Sequence, residues 1–302
     1  MIGNKQTVYL VNNKKKEPDF EDSFKRISKA KKIKYRNISS LDCAFSYTRK
    51  SNKCDLFISG KKVDITNSNW FIRAWSPSED ASALLAVFLE MHKIPFTDIK
   101  VNSSHEIRTS KLSQTFQLTA KDCACPSTWV IPIVNFNQFE SKATKSLGFP
   151  VIIKARGGLG QRVWKCESKS ELKKRVDLLK KEGEDDLVIL QENIDNQGDI
   201  RVVVFQNKVL TSIGRYSSTG FLNNVSQGGT AELIKITPEE KKLAIKSAKA
   251  VGLELAGVDI VRSKYGPLIF EVNKAPDITS FNEAAGFKIQ DEIITSYLNS
   301  II

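Results

Sequence analysis

Histidine and paired cysteine are what this sequence has least of. Only His92 and His105 occur in 302 residues, and neither sits at ligand spacing from another donor. The five cysteines (Cys43, Cys54, Cys123, Cys125 and Cys166) form no CxxC pair and no even framework, which argues against a zinc site and a disulfide-stapled fold. No Ser/His/Asp or Cys/His arrangement offers a nucleophile, so covalent catalysis through a side chain is not expected. The longest apolar run, ASALLAVFLEM, is too short to span a bilayer. The amino terminus, MIGNKQTVYLVNNKKK, puts its apolar patch before its lysines, the reverse of a secretion signal. A cytoplasmic setting is the expectation. No internal repeat or low-complexity linker interrupts the chain.

What is present is ordinary in bulk and uneven in detail. At 41% hydrophobic and 26% charged, the chain falls in the soluble globular class, with room for one large or two to three small domains. Its net charge of +12 divides into +8 over residues 1–100 and +4 over 101–302. A basic front half permits an acidic partner such as nucleic acid or a phosphorylated molecule. The basic clusters themselves, KKK at 14–16 and KAKKIKYR at 29–36, carry no stacking motif or reader fold. Lysine runs are usually solvated faces, so nucleic acid is not the expected partner.

Patterning predicts a small α/β unit first. TVYLV, CDLFI and WFIRAW read as short buried strands. SPSEDASALLAVFLEMHKIPF reads as a helix capped by Ser76, with Pro77 in its first turn and Glu79 closing an S-x-x-E box. A second unit follows. SKLSQTFQLTA (110–120) looks helical, ACPSTWVIP extended, and FPVIIKARGGLGQRVWKC strand, glycine turn and strand, with a helix in SKSELKKRVDLLKKEG. DLVILQENI is a strand, and DIRVVVFQNKVLTSIGRY a hairpin turning at Gln206–Lys208. A helix begins at Thr237-Pro238-Glu239-Glu240 and runs to Gly252, before the hairpin GVDIVRSKYGPLIFEVNKAP.

That last hairpin sets Asp259, Glu271 and Asn273 among apolar residues, and buried acids need a partner. Glu271 and Asn273 share a strand face. If the turn pairs Ser263 with Pro267, Asp259 falls opposite Glu271, with Ile260 and Ile269 facing elsewhere. Two readings fit: oxygen ligands for Mg²⁺, which takes one or two carboxylates and completes its shell with phosphates and water, or acids salt-bridged to lysines at a sheet edge. VIIKARGGLGQRVW offers the phosphate side. Lys154 ends an apolar strand, and Gly157, Gly158 and Gly160 let backbone N–H groups approach phosphate, although a plain hairpin turn reads the same way. It is neither a Walker A sequence nor a Rossmann fingerprint. VILQENI offers backbone partners for a nucleobase, with Asp199 beyond it where a ribose could be met.

Taken in order, strand Lys, glycine loop, Q-E-x-I, D-I-R, V-D-I-V and F-E-V-N resemble the ATP-grasp superfamily. The likeness covers roughly residues 108–290 and is strongest to RimK-like ligases, which add glutamate to the carboxyl terminus of a ribosomal protein. The resemblance implies an α/β (α+β ATP-grasp) fold: an N-terminal α/β domain over 1–100, a central lobe with a glycine-rich lid over 101–190, and a C-terminal lobe with the metal hairpin over 191–302. It implies ATP and Mg²⁺, with Mn²⁺ as a substitute. Lys111 and Lys154 would contact the phosphates beneath a lid holding Gly157, Gly158 and Gly160. Gln191, Glu192, Asn193 and Ile194 would line the adenine slot, with Asp199 nearby. Asp259, Glu271 and Asn273 would hold the metal. Arg201 and Arg215 would face the γ-phosphate or acylphosphate, and Asn224 and the QGG at 227–229 the substrate.

The implied reaction is ATP-dependent ligation. A carboxylate attacks the γ-phosphorus, and an amine then displaces phosphate from the acylphosphate to leave an amide on a peptide, protein terminus or amino acid. A homo-oligomer is compatible with the family. The sequence departs from the glutamate-adding members at Leu222 and Gln227, where they carry arginines, and at Asp277, where a glycine is usual. All three concern substrate rather than ATP. The alternatives are a kinase-like ATP-grasp phosphotransferase and a non-catalytic nucleotide-binding or basic interaction protein, the second of which predicts a degraded metal hairpin.

Overall fold

The computed structural model describes residues 7–12, 18–48, 53–73, 79–97, 111–155, 162–183, 187–196, 198–216 and 230–301. Ser76, Pro77, Gly157, Gly158, Gly160, Leu222, Asn224 and the QGG at 227–229 lie outside them.

The front of the chain builds a parallel sheet from β1 (Thr7–Val11), β2 (Lys34–Ile38), β6 (Ser68–Ile72) and β7 (Phe96–Thr97), ordered β2-β1-β6-β7. Strands β1 and β6 are buried almost throughout because helices cover both faces. Helix α1 (Pro18–Ala30) buries Phe20, Phe24 and Ile27 on one side, and α2 (Glu79–Met91) buries Leu85, Phe88 and Leu89 on the other. CDLFI does not join this sheet. It forms the middle of a separate antiparallel one, between β3 (Cys43–Thr48) and β5 (Lys61–Lys62), as β4 (Lys53–Ile58). The basic stretch 29–36 closes α1 and forms edge strand β2, with Lys29, Lys32, Lys34 and Arg36 exposed while Ile33 and Tyr35 pack inward.

Next comes an antiparallel sheet of β8 (Thr128–Pro132), β9 (Val151–Lys154), β10 (Val163–Cys166) and β11 (Leu187–Glu192), ordered β10-β9-β11-β8. The short helix α3 (Lys111–Thr119) precedes it. Helices α4 (Phe136–Leu147) and α5 (Lys169–Lys181) cover one face, where Val151, Ile153, Val188 and Leu190 meet Phe136, Leu172 and Val176. Alternation sends Ile152, Lys154, Ile189 and Gln191 to the opposite face.

The last sheet orders β12 (Asp199–Phe205), β13 (Lys208–Tyr216), β14 (Thr230–Leu233), β15 (Leu255–Ser263) and β16 (Gly266–Asn273) as β14-β13-β12-β15-β16, all antiparallel. Strands β12 and β13 turn at Gln206 and Asn207, both at positive φ (46° and 64°), the backbone of a tight two-residue hairpin. Helix α6 (Pro238–Ala250) starts at a complete capping box between Thr237 and Glu240. Helices α7 (Ile278–Ala285) and α8 (Ile289–Ser300) follow β16, and α8 lies against α1. Tyr9, Trp70, Ile200, Val202 and Val258 share one buried cluster, so the front sheet and the last sheet have a continuous core.

Candidate active site

Cross-strand pairing places the chemistry on one face of the last sheet. Arg201 on β12 lies opposite Asp259 on β15, Asp199 opposite Arg215 on β13, and Asp259 opposite Glu271 on β16. Directly paired residues share a face. Ile200, Val202, Val258, Ile260 and Val272, one position out of phase, enter the core. The expected opposition of Asp259 and Glu271 is present, but its route differs. Ser263 pairs with Gly266, not Pro267, and a bulge between Asp259 and Ile260 restores the offset. The positive φ of Gly266 (94°) tightens the turn by one residue, and Phe270 takes up the difference.

Asp259 is buried and held from three sides, mostly through Oδ2. Arg201 donates from Nε at 2.7 Å and from Nη2 at 2.8 Å, Arg215 Nη2 stands 3.1 Å away, and Asn273 Nδ2 donates at 3.3 Å. Arg215 also grips Asp199 through Nε and Nη2, both at 2.7 Å. Burial alone would raise the Asp259 carboxyl, but Arg201 and Arg215 pull it down to about 2. Asp199 goes the other way, raised to about 6 by burial and by the charge of Asp259, against the pull of Arg215 and Arg201. The pair divides because Asp259 has two guanidinium partners and Asp199 mainly one.

The second half of the site comes from the central sheet and α3. Lys154 Nζ donates to Gln191 Oε1 at 2.8 Å, and Gln191 Nε2 donates to Thr128 Oγ1 at 3.0 Å. Lys111 Nζ pairs with Glu271 at 2.9 Å. Burial lowers the Lys154 ammonium below its ordinary value; Glu271 works against that shift and Lys111 adds to it. These couplings place Lys111, Lys154 and Glu271 in one neighbourhood. Glu192 turns aside, accepting the Ser127 N–H at 2.7 Å. Ile194 packs on Val261, Leu268 and Phe270 of the hairpin, and Asn193 is half-buried beside it. A cavity of about 470 Å³ opens beside Asp199, lined also by Asp195, Asn196, Tyr216 and Arg262.

This donor set suits a metal carried by a nucleotide. Among the described residues no group of three or more His, Cys, Asp or Glu could hold an ion alone. Two carboxylates and a carboxamide beside Lys111 and Lys154 would share a cation with phosphate oxygens. Four basic groups (Lys111, Lys154, Arg201, Arg215) against three carboxylates (Asp199, Asp259, Glu271) leave an excess of positive charge, complementary to a nucleotide triphosphate.

Three features escaped the sequence reading. Gln191 binds Lys154 with its side chain rather than offering only backbone. Asp199 belongs to the arginine cluster. Gln114, buried on α3, reaches across to β16. Only the last left a signal, since it falls three residues after Lys111 on one helix face.

Residues 113–297, well over half of the chain, match the family described as the RimK-like ATP-grasp domain. The chain belongs to the RimK-like ATP-grasp family. The match begins two residues after Lys111 and ends within α8. A probable alpha-L-glutamate ligase of Trichodesmium erythraeum is 36% identical over 173 residues, covering 54% of this chain and 57% of that protein. A probable alpha-L-glutamate ligase 2 of Shewanella denitrificans is 43% identical over 110 residues, 35% of this chain and 36% of that one. The chain spans about half the length, or less, of these curated relatives. In fold it is similar to the ATP-grasp ligase PsnB, solved with a minimal precursor, Mg and ADP, at TM-score 0.72 and 17% identity over 98% of both chains. It is also similar to the macrocyclase MdnB of Microcystis aeruginosa, at TM-score 0.67 and 16% identity, covering 96% of this chain and 98% of that one. The fold shared with these two structures therefore extends over the front sheet as well.

Proposed function

We propose that the protein is an ATP-dependent, ADP-forming carboxylate–amine ligase that makes an amide bond through an acylphosphate. The observation that carries this reading is the single sheet face on which Asp259, Glu271 and Asn273 meet Arg201 and Arg215, with Lys111 and Lys154 alongside. Lys154, held by Gln191, and Lys111 bind the phosphates. Residues 191–194, at the end of β11 and beside the face that carries Ile152 and Ile189, receive adenine. Asp259, Glu271 and Asn273 hold Mg²⁺, or Mn²⁺ in its place; when bound, the ion neutralises phosphate charge.

The reacting groups are both anionic, so the work of the chain is positioning and charge neutralisation. Arg215 and Arg201 offer guanidinium N–H groups where the substrate carboxylate approaches the γ-phosphate. Asp199 holds Arg215 in that orientation. The roles that the family resemblance gives Gly157, Gly158 and Gly160 (a lid that keeps water from the acylphosphate) and Asn224 with the QGG at 227–229 (contact with the acceptor) fall outside the described residues.

A peptide is the favoured substrate, supported by the fold shared with PsnB, which was solved with a precursor. The relatives named glutamate ligases support an amino acid or another amine as the second substrate. Cys43, Cys54, Cys123, Cys125 and Cys166 are all free thiols, which fits a reducing cytoplasm, and a homo-oligomer is compatible with the exposed stripe Leu84, Val87 and Met91 on α2. No described helix is long and apolar enough to cross a membrane.

The test is a panel of peptides, carboxylates and amines assayed for ADP release, with mass spectrometry of the product. The reading expects a product of both reactants less one water. A product equal to one reactant plus a phosphoryl group would replace it with a kinase-like phosphotransferase.

A further inference from the structure

We propose that Gln114 is a positioning residue for the metal: its carboxamide completes the open edge of β16 and so fixes the aim of Glu271 and Asn273. The proposal rests on reading those two side chains as metal ligands.

Among the described residues strand β16 is the last in its sheet, so its backbone groups that point away from β15 meet no described strand. Open edges of this kind are covered in folded proteins or left to pair with something else. Here helix α3 lies over the edge. Gln114 Nε2 donates to the Val272 carbonyl oxygen at 2.8 Å, and the Val272 N–H donates to Gln114 Oε1 at 2.8 Å. Both halves of the carboxamide are used, as one residue of a neighbouring antiparallel strand would use its N–H and C=O. Three residues earlier, the Ile269 N–H donates to the Ala124 carbonyl at 2.8 Å. A side chain and a loop carbonyl stand in for a missing sixth strand.

The place of this contact gives it a function. Val272 lies between Glu271 and Asn273 and sends its own side chain into the core, so the tilt of its peptide units sets where both neighbours point. The bulge opposite Asp259 makes the inner ladder irregular just before Glu271, leaving the outer edge to fix the strand. Gln114 is only 5% exposed, and a buried carboxamide is costly unless both of its ends are bonded. Leucine would fill the same space without that requirement. Lys111, one turn earlier, meets Glu271 at 2.9 Å, so the helix holds the ligand strand through its backbone and its side chain together.

The test titrates Mn²⁺ into the full chain in the presence of ADP and reads bound ion by electron paramagnetic resonance. Gln114→Met keeps the volume and removes both bonds; Gln114→Asn keeps the amide but withdraws it by one methylene. Leu85→Ala, in the core of α2, is the control for destabilisation alone. The proposal expects both Gln114 variants to lose about 10-fold or more in Mn²⁺ affinity, the range for groups that orient metal ligands, and Leu85→Ala to bind as wild type. Wild-type affinity in both Gln114 variants overturns it, as does an equal loss in Leu85→Ala. Glu271→Gln separates the two ways of failing. Undiminished Mn²⁺ affinity there sinks the ligand reading and the proposal with it, whereas loss there with none at Gln114 sinks the proposal alone.

Discussion

Asp259 is the residue on which the site turns, because it is buried and answers to two arginines at once. Replacing it with alanine leaves Arg201 and Arg215 without their shared anion, a loss of about 3–5 kcal/mol for a broken buried pair. Asp259→Asn keeps the shape and isolates the chemistry. Both this variant and Glu271→Gln are expected to lower kcat by roughly 100-fold or more, measured as ADP release once a substrate pair is known. Retained activity in either removes that residue from the metal set. The two aspartates also differ in pH response. Asp259, lowered to about 2, contributes stability above its unfolded pKa near 4 that is lost as pH falls toward 2. Asp199, raised to about 6, does the opposite: its ionisation is easier in the unfolded chain, so its contribution worsens as pH rises from about 4 to about 6 and then levels off. Urea denaturation of wild type and Asp199→Asn across that window should show the variant gaining on wild type with rising pH. A constant difference would contradict the assignment.

At the scale of the element, the metal hairpin shows what sequence can and cannot carry. Alternation alone puts Glu271 and Asn273 on one face, and the acids among apolar residues ask for a partner. Which residue opposes Asp259 depends on the turn, and a local reading has no way to weigh a glycine at positive φ against a bulge four residues on. The two shifts cancel, which is why the opposition was legible and the register was not. Helices α1 and α4 escaped notice because lysines and polar residues crowd their exposed sides while a few residues, such as Phe20, Phe24 and Ile27 or Phe136 and Ala143, do the burying. The helix at 238–250 was legible from its cap. Thr237→Ala should cost about 1 kcal/mol by releasing the Glu240 N–H, checked by thermal unfolding. The contact of Gln114 with Val272 is distant in sequence, and only the spacing of Gln114 from Lys111 on one helix face hints at it.

For the whole molecule, the front sheet and the last sheet share an interior. Trp70 and Ile72 share a cluster with Val258 and Ile260, and Phe71 sits edge-on to Tyr297 of α8 with ring centroids 4.9 Å apart. A fragment beginning at residue 111 would expose those surfaces. It is expected to aggregate or lack a cooperative unfolding transition, while the full chain unfolds in one; a soluble, cooperative fragment would contradict the continuous core. The positive charge of the front lies on outward lysines of α1 and β2, away from that interior. In the proposed ligation one carboxylate oxygen is transferred to phosphate on the way to an amide. This transfer is tested most directly by giving the enzyme its carboxylate substrate labelled with heavy oxygen, together with ATP and the amine. One labelled oxygen is expected in the released phosphate for every amide formed; phosphate free of label, with the displaced oxygen recovered in water or AMP instead, would contradict the acylphosphate route.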